Sequence, residues 1–431
     1  IFAVESAVNE LAHKMGMDPV KVKEMNMPIE GGPLPGYPDV PYAQSCSMDR
    51  CMARAKEMMD WDSKYPCRDM GNGKVRGVGV AMAMQGSSIA GVDVGGADIK
   101  LNEDGSYTLA LGCTDMGTGC DTVMAQIAAD CLNTPMDNIV VFSVDTDISP
   151  YDSGSYASAT TYTTGVAVMK ACEELKKKIC KLGAEMMEVD ERKVDFDGSC
   201  VFYDETLEIS DGAEGNAAGH MTDAEEGYSV DMDAISSENA QKKVSLEDIA
   251  LKSTFFNNIE LQVVKQHSSP ISPPPFMVGM AEVEVDTETG SVDVLDYVAV
   301  VDCGTPINPN LARVQTEGGI AQGIGMALWE DVQYTDKGKI RNNSFMQYKI
   351  PTRQDIGNIR VDFECSYEKS GPFGAKSIGE LVIDTPCPAL AEAIYNATGV
   401  RLTELPMTPE KIAMEILKNR ESIRSGTKVE E

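Results

Sequence analysis

The chain has 431 residues, 42% of them hydrophobic and 24% charged, which is ample for a large core and above the size at which one core usually divides, so two or more domains are expected. With 68 acidic against 37 basic residues the net charge is -31. Such a field repels phosphate backbones and anionic headgroups, which excludes nucleic acid and membrane surfaces as favoured partners. The longest apolar runs, "LDYVAVVDCG" and "GGIAQGIGMALW", fall well short of the roughly 20 residues a membrane span needs.

The first residues, "IFAVESAVNELAHKMGM", read as an amphipathic helix and not a signal peptide; the missing initiating Met suggests a processed or truncated chain. To about Met70 the pattern is two helices around the connector "MPIEGGPLPGYPDVPY", the second being "CSMDRCMARAKEMMDWDSKY". From Lys74 short apolar runs separated by turns predict strands, with "NEDGS" a hairpin connection. "GCDTVMAQIAADCLNTP" has helical spacing and ends at an Asn and a Pro, and "SATTYTTGVAVMKACEELKKKICKLGAEMMEV" reads as one long helix. An acidic, Gly/Ala-rich stretch from about Asp211 to Asn239 reads as a surface excursion. A second module follows, with strands in "VGMAEVEVDTETGSVDVLDYVAVVDCG", a helix in "NLARVQTEGGIAQGIGMALWED", strands near Phe363 and a helix in "CPALAEAIYNATG".

The expected fold is therefore α+β: two pseudo-repeated modules of mixed sheets with packing helices. Its divisions are 1–70 (helical), 71–210 (first module), 211–240 (acidic loop) and 241–431 (second module). The twelve cysteines form no C-x-x-C pair and there are three histidines, so zinc or iron-sulfur ligation by this chain alone is not expected. Most cysteines read as small buried hydrophobes, and the default compartment is a reducing cytoplasm. His13 reads as lying on a solvated or partner-facing helix, His220 in the acidic loop and His267 beside "SSPISPPPF"; none is assigned catalysis.

Chemistry concentrates in glycine-rich loops. "GCTDMGTGCDT" (Gly112 to Thr122) ends a strand and opens a helix, so it could receive an anion or be a plain helix-entry turn. It is neither a Walker loop nor a G-x-G-x-x-G fingerprint. "YDSGSYASATTYTTG" carries more hydroxyls than one helix cap requires. Gln322, in "EGGIAQGIGMALWED", reads as a buried amide that needs a partner. "SGPFGAKSIGEL" sets one carboxylate, Glu380, directly after Gly379.

Taken in order, these strings resemble the C-terminal part of the molybdenum-binding subunit of the xanthine dehydrogenase/aldehyde oxidase family of molybdenum hydroxylases. "GPFGAKSIGE" is similar to the family's G-P-[FY]-G-A-K-x-x-G-E signature, "DCGTPINPNLARVQTEGGIAQGIGMAL" to its Gln-Gly-Ile-Gly string, and "ELPMTPEKI" to its closing segment. The "TDMGTGCDTVMAQIAAD" and "YASATTY" variants resemble a branch described as selenium-dependent xanthine dehydrogenases. Thr118 stands where the family commonly has Gln.

The resemblance implies a molybdopterin, in the cytosine dinucleotide form, whose dithiolene holds the molybdenum without metal ligands from the chain; selenium stays open. It implies hydroxylation of an electron-poor carbon in a purine, xanthine-like or hypoxanthine-like, or a related N-heteroaromatic, with water-derived oxygen and Glu380 as general base. An aldehyde or nicotinate-type hydroxylase, or a non-catalytic scaffold subunit, are the alternatives. Gln322 is implied to bond an oxo group of the molybdenum, with Gly117, Thr118, Gly119, Ser158, Thr160 and Gly379 at the cofactor and Ala157 lining the substrate pocket. The family's region before "AVESAV" has no counterpart, which implies a second molybdopterin-binding chain completing the site, with [2Fe-2S] and FAD on separate iron-sulfur and flavin subunits.

Overall fold

The computed structural model describes residues 1–207, 242–257 and 260–425, apart from the single positions 38 and 144. The acidic segment 211–240, with His220, lies outside the described residues.

The chain opens with α1 (Phe2–Lys14), α2 (Pro19–Asn26), α3 (Met48–Met59) and the short α4 (Trp61–Lys64), where the sequence suggested two helices. Both extra breaks have local causes. Asp18 caps α2 by accepting from the Val20 amide, with Pro19 in the first turn, and Asp60 turns left-handed between α3 and α4.

Next come β1 (Cys67–Gly71), β2 (Lys74–Met84), β3 (Gly95–Leu101), β4 (Tyr107–Leu111), α5 (Cys120–Leu132), β5 (Ile139–Phe142) and α6 (Gly165–Met187). The expected long helix is present as α6, entered through a π-helical turn at Thr160–Thr164. Beyond it lie β6 (Val194–Phe196), β7 (Cys200–Tyr203), β8 (Lys243–Ser245), α7 (Leu246–Leu251), β9 (Gln262–His267), β10 (Phe276–Asp286) and β11 (Val292–Asp302). The last elements are α8 (Pro309–Leu328), β12 (Asn358–Phe363), α9 (Pro386–Thr398) and α10 (Pro409–Ser425).

The α+β class is as expected, with strands in the orders β1-β2-β10-β11-β12, β5-β4-β3-β9 and β6-β7-β8. Every sheet draws strands from both sides of residues 211–240. β2 runs antiparallel to β10 from Lys74↔Asp286 to Met84↔Phe276, and β3 pairs with β9, so residues 71–210 and 241–431 interleave. Two apolar strands of equal length gain a complete ladder by pairing with each other.

The period-two alternation of "KVRGVGV" explains how β2 is sandwiched. Val78 and Val80 share a core with Met48, Met52 and Ala55 of α3, each buried side chain of this size contributing roughly 1.5–3 kcal/mol. Gly77 and Gly79 face the other way, where a Cβ would lie 2.2 Å from the Ala393 and Ala389 carbonyls of α9. Glycine is what allows α9 to lie against the strand.

His13, partly buried on α1, turns its ring toward α9. Its Nε2 bonds Glu392 of α9 and its ring centroid lies 4.6 Å from that of Tyr395. The buried Glu392 carboxylate needs such partners, and Arg401 adds a second at 3.8 Å. Among the described residues no helix is long and apolar enough to cross a membrane. The cysteines are free thiols; Cys67 and Cys365 are exposed and most of the others are buried.

Candidate active site

The loop carrying Glu380 is anchored at its middle. The Lys376 side chain is fully buried, ion-paired with Asp302 Oδ2 at 3.0 Å, and donates to the Ser45 carbonyl. Asp302, at the end of β11, also accepts from the Ser47 and Gly304 amides and the Ser366 hydroxyl, so every lone-pair direction is used. The Lys376 amide donates to the Cys303 carbonyl, and the Ser377 amide to Ser87 Oγ, just beyond β2.

Four residues after Lys376, the exposed Glu380 meets two other segments. Its Oε2 accepts from Gln85 Nε2 at 2.7 Å and from Ser158 Oγ at 3.1 Å, and its amide donates back to Ser158 Oγ at 3.0 Å. Ser158 is brought there by two consecutive left-handed residues, Ala157 (φ 50°) and Ser158 (φ 54°), a conformation costing about 1–3 kcal/mol per non-glycine residue. The Ala157 carbonyl accepts from the Ser88 amide. A Cβ on Gly379 would lie 3.1 Å from Ser158 Oγ, so the glycine leaves room for the serine. Gln315 of α8 donates to the Gly379 carbonyl at 2.9 Å.

Two cavities meet at this point. One, of about 370 Å³, is walled by Thr118, Ser158, Thr160, Leu311 and Ile378 among others. The other, of about 660 Å³, is walled by Gln85, Gln322, Gly318, Gly319, Ile383 and Asp384. Gln315, Gly379 and Glu380 line both. Gly117 (φ 104°) and Gly119 (φ 77°) flank Thr118 without forming wall, and Ala157 lies beside the wall residue Ser158 without lining either cavity.

Gln322 is exposed on the larger cavity, not buried as its apolar neighbours suggested. Gln315 could have been found, because a seven-residue spacing puts it on the same helical face as Gln322. Nothing in the sequence marked Gln85 or Asp384. Burial raises the Asp384 carboxyl above its usual range and the charge of Glu380 adds to this.

Two thiols near the site are disfavoured as thiolates. Burial pushes Cys303 up to about 12, and Cys113 is raised by its contact with Cys120 and by burial. Asp115, Cys120 and Asp121 bring ligand atoms within 4.8 Å of one another. Asp115 Oδ1, however, accepts from the Gly117 and Gly119 amides, and Asp121 from the Ser143 hydroxyl, so these groups close the turn. The same bonds occupy two amides that the anion-binding reading of this loop would have used.

Among families of known proteins, the model of the molybdopterin cofactor-binding domain matches residues 54–357. The chain belongs to that family. It is similar over 95% of its length to the probable hypoxanthine oxidase XdhD of Escherichia coli K12, at 33% identity, covering 40% of that protein. The putative xanthine dehydrogenase molybdenum-binding subunit XdhA of the same strain is 29% identical over 96% of the chain and 51% of the relative. The nicotine 6-hydroxylase large subunit of Paenarthrobacter nicotinovorans is 27% identical over 95% of the chain and 49% of the relative. In structure, quinoline 2-oxidoreductase from Pseudomonas putida 86 shares the fold with a TM-score of 0.79 at 21% identity, over 97% of this chain and 52% of that one. The chain thus spans about half the length of the relatives it matches. The expected kinship with the molybdenum-binding subunits of the xanthine dehydrogenase family is borne out.

The residues fit a molybdopterin. Hydroxyls of Thr118, Ser158 and Thr160 and the amides of Asn308 and Gln315 supply donors and acceptors for a polar heterocycle and its phosphate, between apolar walls such as Val123, Ile307 and Leu311. The one cationic side chain among the smaller cavity's wall residues, Lys376, is spent on Asp302. Hydroxyl and amide groups would therefore hold the cofactor here.

Proposed function

We propose that this chain forms the base-bearing half of a molybdenum hydroxylase site, acting on a purine or related N-heteroaromatic ring, with Glu380 as proton acceptor. The observation that supports it most is the position of Glu380 where two cavities meet, one oxygen held by two donors and the other without a hydrogen-bond partner among the described residues. Replacing a ring C–H by C–OH with water as the oxygen source releases two electrons and two protons, so a fixed proton acceptor beside the carbon lowers the barrier. When bound, the molybdenum cofactor supplies the oxygen-transfer and two-electron chemistry.

The chain's own residues would hold and orient. Thr118, Ser158 and Thr160 offer hydroxyls along the smaller cavity, with Gly117 and Gly119 shaping the turn that presents Thr118. Gln322 offers its amide in the larger cavity, and Gln315 ties Gly379 to α8. The left-handed turn at Ala157 sets the wall a substrate would pass. The purine preference is supported by the likeness to XdhD and XdhA.

The same reading includes a cytosine dinucleotide form of the cofactor, a second molybdopterin-binding chain completing the site, and [2Fe-2S] and FAD on separate subunits of a cytoplasmic complex. Elemental analysis for selenium tests the kinship with the selenium-dependent branch. A second reading, an aldehyde or nicotinate-type hydroxylase, is supported by the similarity to the large subunit of nicotine 6-hydroxylase, which acts on another pyridine. A substrate panel of purines, aldehydes and pyridines separates the two. A scaffold role, suggested by Thr118, predicts a complex free of molybdenum.

In the assembled enzyme, Glu380→Gln is expected to retain molybdenum and pterin and to lose at least about 10²-fold in turnover. Turnover at the wild-type level would overturn the assignment.

A further inference from the structure

Both protein donors on Glu380 fall on the same oxygen. Gln85 Nε2 and Ser158 Oγ bond Oε2, and Oε1 has no hydrogen-bond partner among the described residues. An exposed glutamate next to a glycine has several rotatable bonds and little packing to fix its head. Gln85 comes from a firmer place. It directly follows β2, which is bonded on both sides in its sheet, and its neighbour Ser87 is buried against Ser377 of the Glu380 loop. The two segments are therefore tied twice, through Ser87 to Ser377 and through Gln85 to Glu380.

We propose that Gln85 is the positioning residue of the base: its amide fixes Oε2, so that Oε1 alone is presented to the substrate. This rests on the reading of Glu380 as proton acceptor. The chemistry of an amide suits the task, because it donates a directional bond without bringing a positive charge that would compete for the carboxylate. Ser158 steadies the same oxygen from the opposite segment. Loss of a single such contact displaces a catalytic group by a fraction of its own length, and displacements of about 1 Å can lower rates up to about 10²-fold.

The test compares Gln85→Met and Gln85→Glu in the assembled, cofactor-loaded enzyme. Gln85→Met keeps the length and removes the donor; kcat is expected to fall about tenfold while KM stays within about twofold. Gln85→Glu is nearly isosteric but sets a second carboxylate against the first, and is expected to fall further than Met. A residue that merely filled space would tolerate Glu at least as well as Met.

A second readout does not depend on turnover. The infrared difference between wild type and Glu380→Gln isolates the Glu380 carboxylate stretches, which are expected to move in Gln85→Met as Oε2 loses its donor. Wild-type kcat in both Gln85 variants, or a lowered kcat with unmoved carboxylate bands, would overturn the positioning role. If Glu380→Gln itself turns over normally, the base assignment has failed; if it is inactive while both Gln85 variants behave as wild type, the positioning role alone has failed.

Discussion

Two carboxylates tied to the same loop, one through Lys376 and one on the loop itself, are treated in opposite ways. Asp302 is fully buried, paired with Lys376 and bonded by three further donors, and it has no capacity left for a ligand. Glu380 is exposed and, among the described residues, bonded on one oxygen only. The contrast separates the group that holds the loop from the group the loop presents. Saturated hydrogen bonding gives rigidity, and an unsaturated oxygen at a cavity gives reactivity.

Breaking the Asp302 side should affect folding first. Asp302→Asn leaves the Lys376 ammonium buried without its counter-ion and is expected to destabilise the chain by about 3–5 kcal/mol, read as a lower denaturant midpoint. An unchanged midpoint would mean that the pair does not hold the loop. On the Glu380 side, Ser158→Ala removes one donor to Oε2 and the acceptor of the Glu380 amide. Turnover should fall about tenfold while stability changes by only about 1 kcal/mol; a larger loss of stability than of activity would place Ser158 with the anchor.

Gly379→Ala is a gentler probe. Its Cβ would stand 3.1 Å from Ser158 Oγ, so the serine must yield a few tenths of an ångström, and turnover should drop a few-fold with stability within about 1 kcal/mol. Full activity would show that the serine contact is dispensable.

The smallest effect concerns a group that burial keeps uncharged. Burial, with Lys170 beside it, lowers His267 to about 4 from an ordinary 6.5. Between these values the unfolded chain binds a proton that the folded chain does not, so this contribution to stability is complete above about pH 6.5 and is lost as pH falls toward 4. Allowing for partial exposure, the loss should be on the order of 1 kcal/mol, seen as the pH-dependent difference between wild type and His267→Gln. A flat difference would show that His267 titrates as if exposed.

Much of this was legible in the sequence because it is local. Apolar runs between turns marked β2, β10 and β11, an Asn and a Pro closed α5, and the glycine strings pointed to Glu380, Thr118 and Ser158. What was not legible depends on distant pairing. The β2–β10 ladder joins residues some two hundred positions apart, and the Gln85–Glu380 bond joins positions 295 apart with no motif around Gln85. Gln322 looked buried because its neighbours are apolar, yet the turn of α8 faces it toward a cavity. Gly379 suggested room for a cofactor, and its nearest side chain is Ser158.

The most direct measurement is a crystal structure of the assembled, cofactor-loaded complex, read at one place: the Glu380 carboxylate. Its Oε2 is expected to remain on Gln85 and Ser158 while Oε1 faces the molybdenum centre across one of the two cavities. A molybdenum centre seated elsewhere, with Glu380 turned to bulk solvent, would contradict the assignment of the base and of the site together.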